Sequence, residues 1–214
     1  MAEAPCMPWA CSERQQRRRP WLILPLALLP LLALPLAPAQ RPARAGGSGS
    51  GWQLAAFPVL AFERYSAGFG HRRHPMLGGN RLHDGLDIAA AHGSPVRSWW
   101  RGRVIAVFDD RGCGLGVLIR SGEYEHLYCH LSGNTVGGVY HSSGVRLRPG
   151  DRVETGQLIG RVGSSGMATG PHLHWSLRWR GHRLDPAAVL RTMAAARAWP
   201  SVTTRSTTNL KFLR

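Results

Sequence analysis

The sequence predicts an all-β domain, mostly antiparallel, with one short helix near its C-terminal end. Three observations lead there. The 214-residue chain carries 26 Gly and 15 Pro, both poor in helix interiors, which excludes a helical bundle or a coiled coil. From Trp52 to about Leu190 the texture is short apolar or alternating runs split by Gly, Pro, Asp and Asn, the pattern of strands and turns. Only after Pro186 does an Ala-rich stretch, 187–198, read as helix. Apolar residues make up 43% and charged residues 18%, enough apolar content for a core and too much for wholesale disorder.

The strands follow in order. G-L-D-I-A at 85–89 and V-R-S-W-W at 96–100 are short apolar runs, and R-V-I-A-V-F-D covers 103–109. L-G-V-L-I-R at 115–120 and E-Y-E-H-L-Y-C-H-L at 123–131 flank a Ser121-Gly122 turn. Q-L-I-G-R-V covers 157–162. H-L-H-W-S-L-R-W at 172–179 alternates: His172, His174, Ser176 and Arg178 fall on one face, and Leu173, Trp175, Leu177 and Trp179 on a core face. The same rule puts His126, Tyr128 and His130 together, opposite Leu127, Cys129 and Leu131.

The N-terminus reads as an export signal. Arg14 and Arg17 to Arg19 precede an uncharged run from Trp21 to Ala39, and Ala37-Pro38-Ala39 before Gln40 resembles a cleavage site. The alternative is an uncleaved membrane anchor, weakened by Pro25, Pro30, Pro35 and Pro38. The expected organisation is a signal peptide over 1–39, a flexible linker over 40–51, one domain over 52–190 and a tail over 191–214. The domain is then exported, periplasmic or extracellular. Cys113 and Cys129 would remain as a pair in an oxidising space. A turn at Ser121-Gly122 pairs Arg120 with Glu123 and brings Cys129 opposite position 114, beside Cys113. A disulfide between the two is expected.

The formal charge is +15 and nearly all the basic excess is Arg. Such a charge attracts polyanions, or simply solvates the surface. Without a basic helix or an aromatic binding motif, the chain is not expected to bind nucleic acid.

Among ten histidines, three clusters stand out. R-L-H-D-G-L-D places His83 and Asp87 four apart, H-L-H places His172 and His174 on one strand face, and L-Y-C-H-L holds His126 and His130. His and Asp supply the nitrogen and oxygen ligands of zinc, and a catalytic zinc commonly takes three protein ligands. His83, Asp87 and one of His172 or His174 meet that number. That leaves two further histidines to handle protons near neutral pH.

The runs G-F-G-H-R-R-H-P, G-G-N-R-L-H-D-G-L-D-I-A-A, L-Y-C-H-L, R-P-G-D-R-V-E-T-G-Q-L-I-G and G-S-S-G-M-A-T-G-P-H-L-H-W together resemble the LytM/lysostaphin-type zinc endopeptidases of peptidoglycan. The likeness extends from about Ser66 to Leu190. It implies the duplicated hybrid motif-like β fold of those peptidases and hydrolysis of amide bonds in peptidoglycan peptides. It implies one Zn2+ held by His83, Asp87 and His174, with His130 and His172 as catalytic histidines. The chain is expected to be a monomer whose partner is the anionic cell-wall polymer, touching a membrane only through an uncleaved N-terminal segment. The runner-up is a non-catalytic activator of wall amidases with the same fold. The stretch 133–148 is longer than the usual link and is expected to be an inserted loop.

Overall fold

The computed structural model describes residues 51–198. The expected signal peptide, nearly all of the linker and the end of the tail lie outside the described residues. Among the described residues no helix is long and apolar enough to cross a membrane. Fifteen strands run in chain order: β1 (Arg64–Ala67), β2 (Gly70–Arg73), β3 (Asn80–His83), β4 (Leu86–Ala89), β5 (Pro95–Arg97), β6 (Gly102–Asp110), β7 (Gly114–Ser121), β8 (Tyr124–Cys129), β9 (Asn134–Val136), β10 (Val139–Ser142), β11 (Val145–Leu147), β12 (Arg152–Val153), β13 (Leu158–Arg161), β14 (His172–Trp179) and β15 (His182–Leu184). One α-helix, α1 (Pro186–Ala198), follows them.

The main sheet has the order β1-β4-β14-β8-β7-β6-β12, with β15 paired to β14. Every pairing in it is antiparallel. The β2–β3 and β5–β13 pairs and a three-stranded β9–β10–β11 meander lie beside it. The core forms on one face of the main sheet, where Leu173, Trp175 and Leu177 of β14 meet Tyr128 of β8, Val117 and Ile119 of β7 and Trp99. Each such side chain contributes about 1.5–3 kcal/mol on burial.

A hydrogen-bonded chain crosses this core. Trp99 N–H donates to the Tyr128 hydroxyl at 2.7 Å, and that hydroxyl donates to His126 Nδ1 at 2.8 Å. His126 Nε2–H then donates to Ser121 Oγ at 2.8 Å, which donates to the Arg101 carbonyl at 2.7 Å. Every member is satisfied, as buried polar groups require. Because Tyr128 takes the Trp99 N–H, the strand expected over 96–100 ends at Arg97.

The helix begins where Asp185 Oδ1 accepts from Ala187 N at 2.9 Å, an N-cap followed by Pro at the first helical position. Leu190 and Met193 face the core, and Trp99 Nε1 donates to Met193 Sδ at 3.2 Å. The helix runs to Ala198, as read from the sequence, and Met193 is its last buried residue.

Four expectations need correction. The β7–β8 register is Ser121↔Tyr124 and Val117↔Tyr128, not Arg120↔Glu123. The Cys113–Cys129 disulfide forms nonetheless, with Cα atoms 4.9 Å apart. It does so because β7 departs from the ladder at its start, where His130 N donates to Cys113 O and Leu131 N to Leu115 O. Gly116, the residue that this register sets opposite Cys129, leaves the room: a Cβ there would lie 2.8 Å from Cys113 Sγ. Second, 133–148 is no loop but the β9–β10–β11 meander, pinned by the buried Tyr140, whose hydroxyl donates to Ser132 O at 2.8 Å. Third, His126 and Tyr128 do lie on one face, but His130 leaves it: its φ of 61° ends β8 and swings the ring to the opposite side of the sheet. Fourth, Trp179 is 37% exposed while Ser176 and Arg178, assigned to the polar face, are buried.

Candidate metal centre

Three strands bring the site together. His83 ends β3, Asp87 is the second residue of β4 and His174 the third of β14. Asp87 and His174 are direct cross-strand partners. Between His83 and Asp87 the chain must pass beneath the His174 ring, and Gly85 permits it. A Cβ there would lie 2.6 Å from His174 Cε1 and 2.7 Å from Ser176 Oγ. The glycine of H-D-G-L-D is thus a packing requirement of the site.

His83 Nε2 lies 3.0 Å from Asp87 Oδ1 and 3.0 Å from His174 Nδ1, and the last two are 2.8 Å apart. Three donor atoms at the corners of so small a triangle share one focus, and they form a group that could hold a metal ion. The outward atoms are committed elsewhere. His83 Nδ1–H donates to the Gly68 carbonyl at 2.6 Å, and His174 Nε2 is 2.9 Å from Ser176 Oγ and 3.6 Å from Asp84 Oδ1. Arg72 donates to Asp87 Oδ2 at 3.2 Å. With a cation at the focus, these contacts would hold the ring tautomers and the carboxylate so that lone pairs point inward, as partners of metal ligands do.

Two further imidazoles face the same space. The His130 and His172 ring centroids are 4.6 Å apart, and His130 is 6.0 Å from His174. His130 Nδ1–H donates to Ser165 O and His172 Nδ1–H to Gly170 O, both at 2.8 Å. Each ring therefore keeps Nε2 for the site. His172 Nε2 lies 3.8 Å from Asp87 Oδ1.

The electrostatics follow from burial and neighbours. Burial alone would raise Asp87, but hydrogen bonds from His174 and His83 hold its carboxyl well below the usual range. His174 is pushed up to about 9: burial opposes its charge, and Asp84 and Asp87 outweigh that. Burial lowers His130 to about 4 against the partial compensation of the Ser165 carbonyl, so its ring is neutral at neutral pH.

The structure brings all five expected residues, His83, Asp87, His130, His172 and His174, into one cluster. His126 lies apart, in the core. Sequence reasoning gave no role to Arg72, Asp84 or the carbonyls of Gly68, Ser165 and Gly170. Ser176 was legible from period-two alternation with His174. Arg72 had a faint signal in the run G-H-R-R-H-P, and backbone carbonyls have none.

A family model described as Peptidase family M23 matches residues 81–186. DD-carboxypeptidase/endopeptidase Mpg of Neisseria meningitidis serogroup B is 38% identical over 131 residues, 61% of this chain and 28% of that protein. Peptidoglycan DD-endopeptidase ShyC of Vibrio cholerae is 35% identical over 132 residues, 61% of this chain and 28% of that protein. A solved structure described as a zinc containing peptidase from Vibrio cholerae superposes with a TM-score of 0.52 at 31% identity, over 63% of this chain and 38% of that one. The chain thus spans 28% of the length of each of these two curated relatives. The matched segment carries every residue of the cluster, and with it the chain belongs to peptidase family M23.

Proposed function

We propose that the protein is an exported zinc-dependent endopeptidase that hydrolyses amide bonds in peptidoglycan peptides. The observation that carries this is the convergence of three inward donor atoms with two carbonyl-anchored imidazoles. The donor set, two nitrogens and one carboxylate oxygen, fits zinc with a position left for water or substrate. When bound, zinc supplies a Lewis acid that polarises a carbonyl and makes hydroxide available near neutral pH. His83, Asp87 and His174 hold it. His130, neutral and with Nε2 free, is suited to accept a proton, and His172 beside it to pass one to the leaving amine. The names of the relatives, peptidoglycan DD-endopeptidase among them, support peptidoglycan as substrate. The Cys113–Cys129 bridge supports an oxidising compartment, in keeping with export directed by residues 1–39. A non-catalytic activator would need neither anchored imidazole.

The test is a set of single substitutions. His83→Ala, Asp87→Ala and His174→Ala should each abolish stoichiometric zinc by elemental analysis. His130→Ala and His172→Ala should keep zinc and lose roughly 10²–10⁴ in the rate of muropeptide release from purified sacculi. Near-normal turnover in the last two removes them from the chemistry. Normal zinc in the first three refutes the ligand set.

A further inference from the structure

We infer that Arg81 is a specificity-determining residue that binds a carboxylate of the substrate peptide, about one residue from the scissile amide. This rests on the peptidase reading above and adds a recognition element to it. Arg81 and Arg72 are direct partners in the β2–β3 hairpin, and directly opposed residues share a face. Arg72 turns that face toward the site, since its guanidinium reaches Asp87 Oδ2 at 3.2 Å. His83 is two residues beyond Arg81 on the same strand, so period-two alternation puts both on this face, about 6.6–6.8 Å apart along the backbone. Arg81 therefore stands on the site side of the hairpin, next along the strand from a residue whose Nε2 points at the metal focus.

Its charge has no answer there. The hairpin from Gly70 to His83 carries Arg72, Arg73 and Arg81 and no acidic residue. Arg72 is engaged by Asp87. The next acid, Asp84, lies 3.6 Å from both His174 Nε2 and Arg183 Nε. Arg81 is exposed and has no ion pair among the described residues. Like charges directly opposite one another are unfavourable, and a bound cation would add to the positive field. An anion placed over Arg81 relieves that repulsion. A carboxylate matches the fork of a guanidinium in a bidentate pair, and the strand spacing sets it about one peptide residue from the reacting bond.

Two cross-linked muropeptide dimers serve as probes, identical except that the carboxylate beside the cross-link amide is free in one and amidated in the other. Zinc-loaded protein should prefer the free dimer by about tenfold or more in kcat/KM, mostly through KM, the effect of one charge-assisted hydrogen bond. Arg81→Ala should bring that ratio close to one, and Arg81→Lys should restore part of it. Calorimetric binding of both dimers in the zinc-loaded His172→Ala background should show the same ratios. If Arg81→Ala leaves the ratio unchanged in both measurements, the carboxylate site is wrong while the peptidase reading stands. If neither dimer is cut but the free one binds more tightly in an Arg81-dependent way, the peptidase reading fails and the carboxylate site stands. If neither is cut and neither binds, both fall.

Discussion

His126 shows how a titratable residue can serve the core while its neighbours in sequence serve the site. Its ring is buried, accepts from Tyr128 and donates to Ser121, so a second proton would set Nδ1–H against the Tyr128 hydroxyl hydrogen. Burial accordingly lowers its pKa to about 3. The unfolded chain, with an ordinary value of about 6.5, binds that proton first. Stability is therefore complete above about pH 6.5 and falls toward pH 3, by up to about 1.4 kcal/mol per pH unit. Urea midpoints measured from pH 7 to pH 4 should show this fall, and His126→Gln should flatten part of it; an unchanged slope would clear His126 of the effect. Arg72 makes the complementary case on the site side. Arg72→Ala frees Asp87 Oδ2 and should weaken zinc binding roughly 10–100-fold in chelator competition, with Arg72→Lys intermediate; an unaltered affinity would mean that Asp87 needs no such restraint. The members of the cluster were legible at this scale because His and Asp announce their chemistry. The turn of His130 was not, since a positive φ at a non-glycine residue leaves no mark in an alternation pattern.

At the scale of elements, strands with an apolar face were legible and strands without one were not. The segment 172–179 was read with its true bounds because Leu173, Trp175 and Leu177 alternate with polar residues. The strands β1, β2 and β3 are Arg-rich, short and mostly exposed, so no hydrophobic period marks them. Yet they carry His83, Arg72 and Arg81, which is why the wall of the site was the part least visible. The disulfide links the two kinds of information. It ties the start of β7 to the end of β8, one residue before His130, whose own N–H is held by Cys113 O. Replacing both cysteines by serine should cost about 3 kcal/mol at most, since the closed span is 16 residues. It should also lower kcat with zinc content unchanged, because His130 loses its backbone restraint. Full activity in the double variant, with the expected loss in urea midpoint, would confine the bridge to stability.

Across the whole domain the three metal-directed residues join parts that the backbone leaves separate. His83 belongs to the two-stranded β2–β3 sheet, while Asp87 and His174 sit on adjacent strands of the main sheet. The core holds the main sheet together through Trp99, Trp175 and their neighbours. The outlying hairpin has little apolar surface facing that core, and Met76, Leu77 and Leu82 on it are exposed. A metal held between the two sheets would then be a tertiary cross-link as well as a Lewis acid. Binding only to the native state, zinc at a hundred times its Kd should stabilise the fold by about 2.7 kcal/mol. For a domain of this size that corresponds to a rise in Tm of roughly 5–10 °C. Chelation should reverse it, and hydrogen exchange in β2 and β3 should slow more than in β6 and β7 on zinc addition, since the hairpin gains the most restraint. His174→Ala should abolish the shift, whereas His172→Ala, which removes no inward donor of the triangle, should preserve it. Equal shifts in both variants would mean that the metal stabilises the chain from some other place, and the cross-link would have to be abandoned.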